Sequence, residues 1–274
     1  MLVCQPVQVR NVSRCCTSID NISGIPTFRT GNGLWQTHDV TRLATPQAFA
    51  SNPVLVWQFY HERRHAYVVC ATDIALHSSD TVHSVLAASP NPAHYALAVL
   101  LLPLYLQTVA PSCMGYTIIT QNVDGLSTRA YREVVSRHSD STGMQDSPAQ
   151  YPPNLFEMHG RLLDTLCTRC GLREHNDADP LCPALARGLS SSLVKEELED
   201  ISVEDLPHCH DCGGLLRPGV VWFDEIPHHL REINQVVDSA DLCLVVGTSS
   251  TVCPETNIAD LPLMSLTYVG LSRS

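Results

Sequence analysis

Two C-x-x-C pairs, Cys167-Thr-Arg-Cys170 and Cys209-His-Asp-Cys212, stand 38 residues apart in a chain of 274. Each pair can turn two thiolates toward one point, and four thiolates complete the tetrahedral shell of a structural zinc. Gly171 follows the first pair and Gly213-Gly214 the second, as tight knuckle turns require. The spacing predicts one zinc held by Cys167, Cys170, Cys209 and Cys212, in a closed shell with no position left for chemistry. A redox C-x-x-C would account for one pair, but not for two with matching glycines. Cys182 is the rival ligand and lacks a partner at knuckle spacing; His208 and His210 are expected to be exposed.

The remaining eight cysteines are scattered, and the N-terminus shows no convincing secretory signal. That favours metal binding in a reducing compartment over a disulfide framework. Met1 to Cys16 carries Arg10 and Arg14 and no acid, a transit-peptide composition on a short segment of poor amphipathicity. The formal charge is −11, with no lysine- or arginine-rich run. This argues against direct nucleic-acid binding and suits a basic partner such as a lysine-containing peptide. The longest apolar run, Tyr95 to Leu106, is interrupted by Pro103. A bilayer takes roughly 20 apolar residues, so the run predicts a buried helix and no membrane partner.

Tyr116 to Thr120 is a β-branched run that empties into Gln121-Asn122-Val123-Asp124-Gly125. The stretch from Asp241 to Val246 repeats the arrangement and ends in Gly247-Thr248-Ser249-Ser250. Short apolar strands with polar carboxyl-terminal loops, separated by helical segments, predict an α/β fold. It would be a Rossmann-like parallel-sheet domain binding its ligand at the strand ends. Helical spacing runs from Thr45 to Arg64, with Pro46 in the first turn, and again from Ala93 to Leu102. Between the two strands the texture changes, so the expected organisation is a discontinuous sheet domain, 1–156 and 215–274, with a zinc-binding module at 157–214. Ser190 to Glu204 reads as a solvated excursion, and Glu157-Met158-His159-Gly160 places a histidine at the domain junction, where clefts form.

Six pieces in order resemble the sirtuins, over residues 19–64, 91–102 and 116–254. They are Ser-Gly-Ile-Pro-Thr-Phe-Arg (23–29), Thr-Gln-Asn-Val-Asp (120–124), Glu-Met-His-Gly (157–160), the cysteine pairs, Arg-Pro-Gly-Val-Val-Trp-Phe-Asp-Glu (217–225) and Val-Val-Gly-Thr-Ser-Ser (245–250). The resemblance implies an NAD-dependent protein-lysine deacylase that releases nicotinamide and an O-acyl-ADP-ribose, with acyl-lysine proteins or peptides as partners. His159 would be the general base, and Asn122 and Asp124 would position ribose, nicotinamide amide and water. Gln121 would contact ribose hydroxyls, and Phe28 would shield the reactive face. Arg29 would lie near the phosphates, and Thr248 and Ser249 near the adenosine. Ser23, Gly24, Trp35, Val123 and Gly247 complete the cofactor set, while Val220, Val221, Trp222 and Phe223 would offer a strand edge to the substrate peptide.

The segments around Leu43-Ala44-Thr45-Pro46 and Phe59-Tyr60-His61-Glu62-Arg63-Arg64 resemble the class III sirtuins. This implies desuccinylase, demalonylase and deglutarylase activity above weaker deacetylation, and a mitochondrial location, with cytosol or nucleus as the alternative. Tyr60 and Arg63 are spaced i, i+3 and share a helix face, where a phenol and a guanidinium converge on a carboxylate. Ala44 would leave room for the longer acyl chain. The competing reading is a solvated Glu-Arg-Arg face with Tyr60 partly buried.

The sequence departs from the family in three places. Cys16-Thr17-Ser18-Ile19-Asp20 stands where sirtuins carry a Gly-Ala-Gly-x-Ser turn, and no apolar strand precedes it. Residues 255–274 match nothing in the pattern, so the later strand is expected to be absent, and Tyr67 to Ser112 is longer than the family's. The rival functions are therefore a pseudoenzyme that keeps the zinc module as an interaction surface, and an NAD-cleaving ADP-ribosyltransferase.

Overall fold

The computed structural model describes residues 10–15, 40–72, 89–142, 152, 154–186, 201–246 and 267–271. In chain order these form β1 (Arg10–Cys15), α1 (Val40–Leu43), α2 (Pro46–Ser51), α3 (Pro53–Thr72), α4 (Pro92–Leu100) and α5 (Pro103–Val109). There follow β2 (Gly115–Thr120), α6 (Leu126–Thr142), β3 (Leu155–Glu157), β4 (Gly160–Cys167), β5 (Arg173–His175) and α7 (Pro183–Ala186). The chain closes with β6 (Leu216–Val220), α8 (Leu230–Asp238), β7 (Leu242–Val246) and β8 (Thr267–Leu271). By contacts the chain divides into two units: one takes 1–22, 90–158 and 227–274, the other 23–89 and 159–226.

The first unit holds a five-stranded sheet in the order β3-β2-β1-β7-β8, parallel at every pair. The expected α/β parallel sheet is present. Chain direction across the sheet reverses at β1, and such a switch point is where ligands of open α/β sheets bind. One side of β2 and β3 packs on a cluster of Ile119, Met158, Ile233, Val237 and Ala240, with Phe156 against it. Another cluster joins Leu106, Cys113, Tyr116 and Ile118 to Leu97, Leu100 and Leu155. Pro103 does not merely interrupt the apolar run: it begins α5, where the absent N–H is no loss. No single helix among the described residues is long and apolar enough to cross a membrane.

Two readings of the sequence need correction. No strand was expected ahead of residue 16, yet β1 is the central strand, paired with β2 and β7. Arg-Asn-Val-Ser-Arg-Cys carries too few apolar residues to announce itself; pairing on both sides supplies what its composition does not. A later strand was expected to be absent, yet β8 pairs with β7 from Leu242↔Thr267 to Val246↔Leu271.

In the second unit β4 lies between β5 and β6 in an antiparallel three-stranded sheet, and α3 packs on it. Pro46 stands in the first turn as the sequence predicts, and Thr45 caps α2 by accepting from Ala48 N. The span read as one helix from Thr45 to Arg64 breaks at Asn52, however, and Pro53 starts α3. The buried Trp57 donates its indole N–H to Leu216 O at 2.8 Å. Arg64, only 1% exposed, donates to Leu162 O at 2.8 Å and Asn176 O at 2.5 Å. The reading of Glu62-Arg63-Arg64 as one solvated face is thus wrong at Arg64, which is a buried strut satisfying a β4 carbonyl and one just past β5. Ser202 to Glu204 is exposed, but Ile201 and Leu206 on either side are buried; residues 190–200 lie outside the described set.

Candidate active site

The four predicted zinc ligands converge. The Sγ atoms of Cys167, Cys170, Cys209 and Cys212 all lie within 4.8 Å of one another. β4 ends at Cys167 and the turn beyond it carries Cys170; Cys209 N donates at 2.8 Å to Gly214 O across the second knuckle. A Cβ at Gly214 would stand 2.7 Å from Arg169 Cβ and 3.0 Å from Cys167 Sγ, so only glycine lets the knuckles close. The amides of Cys170 and Arg169 each point at Cys167 Sγ at 3.4 Å and hold that thiol down to about 6. Donor chemistry and spacing both fit a tetrahedral zinc. Cys182 stands outside the cluster, and His208 and His210 are exposed as expected.

In the sheet unit, Cys15, Thr120 and Val246 are register partners at the carboxyl ends of β1, β2 and β7. The three sequence-predicted cofactor segments, beginning at residues 16, 121 and 247, therefore leave one row of strand ends. Ser23, Gly24, Phe28, Arg29, Trp35, Gly247, Thr248 and Ser249 lie outside the described residues. Gln121 and Val123 are half-buried, while Asn122 and Asp124 are buried. Asn122 N donates to Thr120 Oγ1 at 3.1 Å, and Asp124 Oδ1 accepts from Leu126 N at 2.8 Å, capping α6.

A further residue belongs here, His94, which the sequence covered only within the resembling range 91–102 and gave no role. His94 is 1% exposed, and its Nδ1 accepts from Asn91 N at 3.2 Å, which leaves the proton on Nε2. Burial lowers its pKa, and the nearby Asp124 carboxylate opposes that. His94 Nε2 and Asp124 Oδ2 are buried without a hydrogen-bond partner among the described residues. A stranded donor and a stranded acceptor in one unit, with Asp124 just past the end of β2, suit a polar ligand.

His159 opens the second unit, half-buried, one residue before β4. Gly160 has φ +74, and a Cβ there would run into the carbonyl oxygen of Gly219. That close crossing of β4 and β6 fixes the peptide beside it: His159 O accepts from Val221 N at 2.8 Å.

The three residues predicted for acyl recognition, Ala44, Tyr60 and Arg63, also lie in this unit. Ala44 is 3% exposed, and its carbonyl accepts from Phe223 N at 2.9 Å. Tyr60 is fully buried, so the alternative of a partly buried tyrosine is set aside; its hydroxyl accepts from Trp222 Nε1 at 3.0 Å. Burial pushes the Tyr60 pKa well up, with the Arg63 charge opposing it, and burial lowers that of Arg63, whose guanidinium stands 3.8 Å over the Phe59 ring. The edge expected at Val220 to Phe223 is engaged within the unit: Trp222 N donates to Glu225 Oε2 at 2.8 Å, beside the Val221 and Phe223 bonds already described.

Comparison with known proteins agrees with these features. The Sir2 family model matches residues 17–254, and the chain belongs to the Sir2 family. Among curated relatives, the mitochondrial NAD-dependent protein deacylase sirtuin-5 of Canis lupus familiaris is 40% identical over 236 residues. The match covers 85% of this chain and 62% of the dog protein, so the chain spans less than two thirds of that relative's length. An NAD-dependent protein deacylase of Daphnia pulex is 38% identical, covering 85% of this chain and 70% of its own. A solved Sir2 homologue in complex with NAD superposes with a TM-score of 0.62 at 29% identity, over 95% of this chain and 77% of that one.

Proposed function

We propose that this chain is an NAD-dependent protein-lysine deacylase that favours succinyl, malonyl and glutaryl groups over acetyl. The observation that carries this reading is that a buried Tyr60, bonded to Trp222, and Arg63 stand one turn apart on α3, near enough to act on each other electrostatically, in the unit that also buries Ala44. A desolvated cation beside a phenol proton is a receptor for one carboxylate, and a charge-assisted bond there is about twice as strong as a neutral one. The small Ala44 side chain leaves the length that a dicarboxylic acyl group needs. Val220 to Phe223 would flank the peptide.

NAD supplies the electrophilic ribose carbon when bound. Asn122, Asp124 and Gln121 would orient it from the end of β2, with Val123 beside them; Ser23, Gly24, Phe28, Arg29 and Trp35 would complete its site, with Gly247, Thr248 and Ser249 on the adenosine side. His159 would take the ribose hydroxyl proton as general base. Zinc at the four cysteines holds structure only, and we assign 157–214 as the segment whose folding depends on it. The relatives named as mitochondrial support a mitochondrial location. The substituted Cys16-Thr17-Ser18 turn favours the second reading, a zinc-bearing interaction module without turnover.

The test is to incubate zinc-replete protein with NAD and a succinyl-lysine peptide, following nicotinamide release and peptide mass. NAD-dependent appearance of the free-lysine peptide is expected; intact peptide with correctly folded protein supports the interaction module instead.

A further inference from the structure

The Tyr60 hydroxyl is buried and, among the described residues, has one hydrogen bond, accepted from Trp222 Nε1 at 3.0 Å. An indole N–H can only donate, so the phenol oxygen at this contact can only accept. The tyrosine's own proton must therefore point away from Trp222, and a buried O–H without an acceptor costs free energy until one arrives.

The indole is not free to abandon this role. Phe49 packs against it with ring centroids 5.4 Å apart, and Arg217 lies 3.5 Å over its ring. Arg217 is in turn held by both oxygens of Glu225, at 2.5 and 2.8 Å, and donates to Val220 O at 3.0 Å. The same Glu225 carboxylate accepts from Trp222 N at 2.8 Å. Ring and backbone of Trp222 are thus held by the Arg217–Glu225 ion pair.

We infer that Trp222, locked by Arg217 and Glu225, is a positioning residue that sets acyl preference by forcing Tyr60 to present its hydroxyl as a donor to the acyl carboxylate. The inference rests on the acyl-pocket reading and adds to it where the polarity of the pocket comes from. A tyrosine released from Trp222 could turn its lone pairs toward the substrate and would then repel the carboxylate it should bind. Acetyl-lysine, which has no distal carboxylate, is indifferent to that choice.

The test is a double-mutant cycle on peptide affinity, which needs no turnover. Titration calorimetry would give Kd for matched succinyl-lysine and acetyl-lysine peptides on wild type, Trp222→Phe, Tyr60→Phe and the double variant, each checked for one bound zinc. The expected result is that Trp222→Phe weakens the succinyl Kd about 5–10-fold more than the acetyl Kd, as for one hydrogen bond lost to the succinyl carboxylate alone. In the Tyr60→Phe background the second substitution should change nothing further, since Trp222 acts through the hydroxyl. Equal losses for both acyl groups, or full additivity with Tyr60→Phe, overturn the inference. A wild type that does not prefer succinyl-lysine overturns the pocket reading itself and this inference with it, whereas a preference unchanged by Trp222→Phe overturns the inference alone. Should Trp222→Phe not fold, Arg217→Met keeps the indole and loosens its lock. It should show the same coupling to Tyr60 at about twofold amplitude, and its absence overturns the proposal equally.

Discussion

Arg63 and Arg64 are neighbours in sequence and have opposite fates. A helix turns about 100° per residue, so the Arg63 guanidinium lies over the Phe59 ring while that of Arg64 points into the fold. Arg63→Met should reverse acyl preference by removing the cation that faces the substrate carboxylate. Loss of such a contact costs about 2–5 kcal/mol, and paired succinyl- and acetyl-lysine affinities check it. Arg64→Met should leave preference alone and destabilise the fold by about 2–4 kcal/mol, because Leu162 O and Asn176 O lose their buried donor; urea unfolding reads this directly. The i, i+3 spacing puts Tyr60 and Arg63 on one face, but only the family resemblance singled them out as a pair. The role of Arg64 was not legible, because its partners are backbone carbonyls 98 and 112 residues away.

His61, on the same helix, yields a pH prediction. Burial lowers its pKa to about 4, against opposing attraction from Asp179, with His65 and Arg64 adding to the lowering. Its side chain is 1% exposed and stands 3.7 Å from the Asp179 carboxylate, which also binds His65 at 2.5 Å. A histidine depressed in the fold takes up its proton first in the unfolded chain. Its contribution is therefore intact above pH 6.5 and is lost as pH falls toward 4, by roughly 2–3 kcal/mol. Urea midpoints at pH 7 and pH 4.5 should separate for wild type and separate less for His61→Gln; equal separations would contradict the assignment.

At the scale of elements, what repeated chemically was legible and what depended on pairing was not. The knuckles were readable because thiolate geometry demands both spacing and glycine. The strand ends at Thr120 and Val246 were readable because apolar runs stop abruptly at polar loops. β1 and β8 were missed because each draws its place from register with a neighbour, and neither is an apolar run. α5 was hidden behind Pro103, a residue that ends helices as readily as it starts them. The contact units also group 23–89 with the zinc segment, since Trp57 and Arg64 of α3 bind β6 and β4 backbone. One zinc per chain is expected by metal analysis. Cys209→Ala should abolish it and unfold 157–214, raising protease sensitivity there, because a structural zinc contributes folding free energy outright. Folded protein without zinc would refute the site.

For the whole molecule, the sheet sends three strand ends to one crevice, yet the first of them empties into Cys16-Thr17-Ser18 and not into glycines. Glycines let amides approach a pyrophosphate, and side chains obstruct that approach. NAD affinity and turnover should therefore be low, since misplacing reacting atoms by about 1 Å can cost on the order of a hundredfold. Cys16→Gly, Thr17→Ala and Ser18→Gly together should tighten NAD binding, measured by calorimetry; no gain would remove the turn from the account.

The acyl-pocket and strand-end arguments meet in a single competition assay. Zinc-replete wild type would be given saturating NAD with equimolar succinyl-lysine and acetyl-lysine forms of one peptide, followed by mass spectrometry. The account predicts slow, strictly NAD-dependent removal of succinyl at a rate at least about tenfold above that of acetyl, the discrimination a desolvated charge contact supplies. Acetyl removed first, or loss of succinyl that continues without NAD, would contradict it.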